Sequence, residues 1–153
     1  MQRKLFIILY AVLTSAVMIM IFVLSAQDGT ASDQTSLWLL NTKTGAFLME
    51  VFPNLTAQGP EIDIRKYAHI AEYSLLSIPT FLLFRELISH KTLWRSTTYT
   101  LVLNYLYACS DELHQAFVPG RSSSFPDTLV DLAGTVIGLL AVLMVTVLRK
   151  EAK

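Results

Sequence analysis

The chain has little charge. Asp, Glu, Lys and Arg make up 16% of its 153 residues, against roughly 25% in an average globular domain. The deficit is uneven and comes from long stretches with no charge at all. Cysteine is nearly absent: the single Cys109 excludes an internal disulfide and removes the zinc clusters that need paired thiolates. It reads as a small packing residue near a helix end. No basic run exceeds two residues and the net charge is zero, so a nucleic-acid partner is not expected. There is no HExxH-type spacing, no internal repeat and no low-complexity tract. The length suits a single domain over 1–153.

The uncharged stretches are long enough to cross a bilayer. Leu5 to Ala26 is uncharged over 22 residues, and a hydrocarbon core about 30 Å thick needs about 20 helical residues. Arg3 and Lys4 precede it, as in a signal peptide, but a secretory apolar core is only about 7–15 residues. Leu24 at position −3 also makes cleavage after Ala26 unattractive, so an uncleaved span is expected. Further spans are read at about 67–84, 93–110 and 127–148. Pro79 inside the second leaves the Leu75 carbonyl without its usual partner, so a kink is expected, repaired by neighbours such as Ser74. Trp94 and Arg95 extend the third span at the interface. Pro126 and Asp127 suit the start of the fourth.

Between the first two spans, Leu37, Leu40, Phe47, Leu48 and Val51 recur at near-helical spacing among Ser, Thr and Lys43. That pattern predicts one amphipathic helix, too polar to span, lying on the membrane surface or capping the bundle. The fold expected is all-α: an integral membrane bundle of four transmembrane helices with an extracytoplasmic amphipathic segment. Basic residues gather at the N-terminus (Arg3, Lys4), in the second connection (Arg85, Lys91, Arg95) and at the C-terminus (Arg149, Lys150, Lys153). By the positive-inside rule both termini of this multi-pass cell-membrane protein face the cytoplasm. Arg65 and Lys66 fall on the wrong side for that rule and ask for another explanation.

In this topology the polar residues that are hard to place in solvent all converge on the outer face. They are Arg65, Lys66, His69 and Glu72 at the second span; Ser110, Asp111, Glu112, His114, Gln115 and Arg121 after the third; and Asp127 and Asp131 entering the fourth. Arg65, His69 and Glu72 share a helix face, as do Asp111, His114 and Gln115. Asp127, Asp131, Gly134 and Gly138 form one stripe, with glycines that permit close helix contact. Val118-Pro119-Gly120-Arg121 reads as a tight turn that aims Arg121 at the same cluster. Ionisable groups at such depth are costly and usually face a cavity or one another. The expected site is an outward-facing polar cavity of Arg65, His69, Glu72, Asp111, Glu112, His114, Gln115, Arg121, Asp127 and Asp131. A structural ion-pair network explains the same residues without chemistry. His and carboxylates also make a divalent metal conceivable; no cofactor is indicated.

The string Asp111-Glu112-Leu113-His114-Gln115-Ala116-Phe117-Val118-Pro119-Gly120-Arg121, followed by Asp127 and Asp131, resembles the VanZ-like family. So do Ser25-Ala26-Gln27, where the family more often has two serines, and Arg65-Lys66-Tyr67-Ala68-His69 with Glu72 and Tyr73. The resemblance implies a small multi-span bacterial protein of the cell envelope. The family's founding member is associated with low-level resistance to teicoplanin, a lipoglycopeptide antibiotic. Three functions stay open: binding an amphiphilic ligand or modulating glycopeptide susceptibility, enzymatic action on a lipid-linked envelope molecule, and a structural or regulatory membrane subunit. The histidines and acids offer candidates for a general acid and base, but no nucleophile constellation stands out, because Ser110, Asp111 and His114 lie too close on one helix end for a triad, whose members usually come from separate segments. The partners expected are the lipid bilayer and an amphiphilic or lipid-linked ligand.

Overall fold

The structure is a computed structural model that describes residues 1–53, 58–88, 93–121 and 123–151. Among the described residues every regular element is a helix: α1 (Gln2–Ser25), α2 (Gly29–Leu40), α3 (Lys43–Val51), α4 (Pro60–Ile88), α5 (Leu93–Gln115) and α6 (Asp127–Glu151). The all-α expectation is met. Lys91 and Lys153 of the basic clusters lie outside the described residues.

The segment between α1 and α4 is two helices, where one amphipathic helix was expected. Apolar spacing runs on across residues 41 and 42, but capping chemistry stops the helix there. Asn41 Nδ2 donates to the Leu37 carbonyl (2.8 Å), and Thr42 turns extended and accepts the Gly45 N–H at 3.1 Å to start α3. Gly45 makes the fold-back possible, since a Cβ there would sit 2.1 Å from the Leu39 carbonyl oxygen. Asp28 caps α2 in the same way through Ala31 N–H (2.8 Å). This amide, with the Thr30 hydroxyl, holds the exposed Asp28 carboxyl below its ordinary range.

Helix α4 is the centre of the molecule and packs against all five others. It starts at Pro60, about two turns before the expected 67, because Pro suits a first helical position; Gly59, with φ +115°, supplies the turn before it. Its tightest neighbour is α6. A Cβ on Gly134 would lie 2.5 Å from the Ile70 carbonyl oxygen, and one on Gly138 2.2 Å from that of Ser74. The expected close contact at these glycines is present. Ser74, expected to relieve the break at Pro79, serves this seam instead: its hydroxyl lies 2.7 Å from the Ile70 carbonyl and 2.8 Å from the Gly134 carbonyl.

Two ends can be told apart. At one, Arg3 Nη2 donates to the Glu86 carbonyl (2.6 Å) and Arg85 Nη1 to the Thr146 hydroxyl (3.3 Å), bringing together the start of α1 and the ends of α4 and α6. At the other end lie the finish of α1 and α5 and the start of α4 and α6, with most of the acids. Among the described residues two helices, Gln2–Ser25 and Asp127–Arg149, are long and apolar enough to cross a membrane. Only 11% of the apolar stretch of the first is buried inside the protein, which suits a helix facing lipid and points to membrane association.

Candidate functional site

The acid-rich end is assembled from α1, α2, α4, α5, the 116–126 loop and α6. Helix α5 runs past the expected 110 to Gln115, so Asp111, Glu112, His114 and Gln115 are helical and their facing is fixed by period. Asp111, Glu112 and Gln115 turn inward and are buried. Asp111 Oδ2 accepts from the Ser25 hydroxyl (2.9 Å) and from Gln115 Nε2 (3.1 Å). Gln115 Oε1 in turn accepts from Arg121 Nη2 (2.9 Å). Arg121 Nη1 donates to the Ser32 hydroxyl on α2. Glu112 accepts the Ser124 backbone N–H at 2.9 Å, tying the loop to the end of α5.

The loop is placed by glycine. Gly120 has φ +73° and closes the turn in which Arg121 N–H donates to the Val118 carbonyl (3.2 Å). The Gly29 N–H donates to the Pro119 carbonyl at 3.0 Å, and a Cβ on Gly29 would sit 2.3 Å from Gly120 O. The start of α2 and this turn are therefore pressed together, and Arg121 is carried over the bundle. Burial, and then the charge of Arg65, pull Arg121 down from its ordinary value.

From α4, Lys66 pairs with Asp127 (2.7 Å) and His69 Nδ1 with Asp131 Oδ1 (3.0 Å), two bonds across the α4–α6 seam. Arg65 reaches Asp33 of α2 at 3.0 Å. Asp131 is fully buried, and its Oδ2 has no hydrogen-bond partner among the described residues. The Asp111 Oδ1 and Tyr73 hydroxyl are likewise buried and unpartnered.

A cavity of about 270 Å³ opens among these groups, lined by Arg65, Lys66, His69, Glu112, Gln115, Arg121 and Asp127 with Gln58, Ile62, Ser124 and Val130. Six of the ten expected site residues (Arg65, His69, Glu112, Gln115, Arg121 and Asp127) thus line one space. Asp111 and Asp131 stand behind it, bonded to Gln115 and His69. Glu72 faces a neighbouring cavity of about 380 Å³ beneath α2, largely apolar in its lining, with Leu24, Trp38 and Leu39 among its walls. Arg65, His69 and Arg121 border both spaces. His114 is outside the group: its ring stacks against Phe22 of α1 at 4.6 Å and borders neither cavity. His114 is set apart because α5 turns it away from the inward face that Asp111 and Gln115 occupy. Ser110 is also turned away, exposed and donating to the Tyr107 carbonyl.

The arrangement enlists Ser25, Ser32 and Asp33, which sequence reasoning did not place in the site. Only the Ser25-Ala26-Gln27 string marked one of them. Among the described residues no three His, Cys, Asp or Glu side chains are grouped to hold a metal ion.

The family described as VanZ/LLP1 matches residues 7–147, nearly the whole chain and every residue of this site. The chain belongs to that family. No curated protein and no solved structure matches it significantly. The string at 111–121 is, in physical terms, a helix end that turns Asp111, Glu112 and Gln115 inward, followed by the glycine turn that brings Arg121 back to Gln115.

Proposed function

We propose that this VanZ/LLP1 protein is a four-span membrane protein of the cell envelope, with α1, α4, α5 and α6 as spans and both termini cytoplasmic, that binds an amphiphilic molecule at its outer face. The distribution of side chains supports the membrane part. Sixteen polar or charged residues are buried among the described residues against eight apolar ones, while large apolar side chains such as Leu13, Phe22, Val102, Leu106, Leu140 and Met144 are exposed. An exterior of that kind is stable against hydrocarbon and not against water. The basic end of the bundle lies opposite the cavity, which supports an outward-facing site.

The observation that carries the binding reading is the shared wall of Arg65, His69 and Arg121 between a polar cavity and an apolar one. A molecule with a polar end and an apolar body would fit across that wall, entering from the outer leaflet. Susceptibility to teicoplanin and to vancomycin, with and without the gene, tests the reading. A change confined to the lipid-bearing drug is expected; no change for either drug would remove glycopeptide modulation. A second reading, an enzyme on a lipid-linked envelope molecule, is favoured by His69 held through Nδ1 by Asp131 at the cavity wall. Turnover of a lipid-linked substrate that His69→Gln abolishes would select it over binding alone.

A further inference from the structure

A third cavity, of about 680 Å³, lies on α4 beside α3 and is lined almost wholly by apolar groups: Leu48, Val51 and Phe52 from α3 and its end, with Tyr67, Ile70 and Ile137. Ala71 borders both this cavity and the one beneath α2. Two apolar slots therefore flank one turn of α4. The residue two positions earlier, His69, lies on the wall of the polar cavity.

The cations at that wall are unequally satisfied. Lys66 has Asp127 and Arg65 has Asp33, but the Arg65 Nε is buried without a partner. Arg121 makes no ion pair among the described residues; its bonds go to the neutral Ser32 and Gln115. Two neighbouring guanidiniums with donors to spare, one of them in no direct ion pair among the described residues although Asp111, Glu112 and Glu72 act on it from further off, suit a tetrahedral oxyanion with several acceptor oxygens.

We infer that the site takes a phosphate-bearing membrane lipid with two apolar chains, its phosphate against Arg121 and Arg65 and one chain in each slot flanking Ala71. This rests on the amphiphile reading above and adds the charge of the head and the number of chains. Arg65 and Lys66, which the positive-inside rule leaves unexplained on the outer side, then serve the ligand.

The test uses the full chain in neutral detergent, with Trp94→Phe so that Trp38, on the wall of the slot beneath α2, reports alone. It is titrated with phosphatidic acid, with the phosphate-free diacylglycerol, with single-chain lysophosphatidic acid and with inorganic phosphate. Phosphatidic acid is expected to bind at least about tenfold tighter than each of the others. Arg121→Gln should cost about tenfold or more, the scale of one charge-assisted hydrogen bond, with Arg121→Lys intermediate. Ala71→Phe, which adds no second tryptophan, should weaken phosphatidic acid more than the single-chain lipid. Equal binding of diacylglycerol, or an Arg121→Lys protein that folds and binds like the parent, overturns the phosphate assignment. Equal binding of the single-chain lipid, or an Ala71→Phe protein that binds phosphatidic acid like the parent, overturns the two-chain assignment; both results leave the amphiphile reading standing. Equal binding of inorganic phosphate overturns the lipid. No binding by any probe overturns both readings.

Discussion

Asp131 and His114 differ in how their surroundings hold them. Asp131 is buried against His69, so removing its carboxylate strands a histidine. Asp131→Ala is expected to cost about 3–5 kcal/mol, the usual penalty for breaking a buried pair, measured by denaturation in detergent. Asp131→Asn keeps an acceptor for His69 and should cost far less, so it separates function from folding. If its phenotype is lost at unchanged abundance and melting temperature, the pair acts in the site; if abundance falls in step, it is scaffold. His114, stacked on Phe22, should tolerate Phe with phenotype and abundance intact, because an aromatic pair keeps its contact of about 0.5–1.5 kcal/mol. A lost phenotype in His114→Phe at normal abundance would return the histidine to the site. Arg65, His69 and Arg121 were legible because an ionisable group in an apolar chain demands an explanation. Ser25 and Ser32 were not. Serine is compatible with any surface, and their partners, Asp111 and Arg121, are 86 and 89 residues away in the chain.

At the scale of elements, the α4–α6 seam depends on having no side chain at two positions. Gly134→Val would place atoms where the Ile70 backbone already lies and is expected to destabilise the fold by about 3 kcal/mol or more, as overpacking does. A fall of several degrees in melting temperature checks it. Gly59 allows no such comparison of space, since nothing lies near its Cβ direction, but its φ of +115° is strained for any other residue. Thr42→Ala removes the α3 cap and should cost about 1 kcal/mol, read by the same melt. The glycine stripe of α6 was legible because its period matches the helix. Hydropathy, however, marks spans and not helix ends. The polar first turns of α4 and the last turn of α5 therefore fell outside the apolar windows, though the chain continues helical through both. The break at Asn41–Thr42 was hidden because two side-chain hydrogen bonds decide it while the apolar spacing runs on.

For the whole molecule, orientation is the decisive expectation. In a Cys109→Ser background, Gln2→Cys and Ser123→Cys, both at exposed positions, should label differently in intact cells with an impermeant reagent. Ser123→Cys is expected to react and Gln2→Cys to be protected; the reverse would invert the topology, and equal labelling would sink it. The all-α class followed from the length of the uncharged runs, whereas the meeting of three cavities on α4 depends on where α2 and α3 return over the bundle, which no local pattern encodes.

The backbone contact between Gly29 and Gly120 constrains how lineages of this protein can drift. Neither position has room to change alone: the first step at 29 meets the carbonyl at 120, and the first at 120 meets both the backbone at 29 and a left-handed φ. A single-step path away from either glycine has to displace the backbone opposite or strain its own. The turn that delivers Arg121 is then held to glycine at both places by backbone alone, whatever the side chains around it.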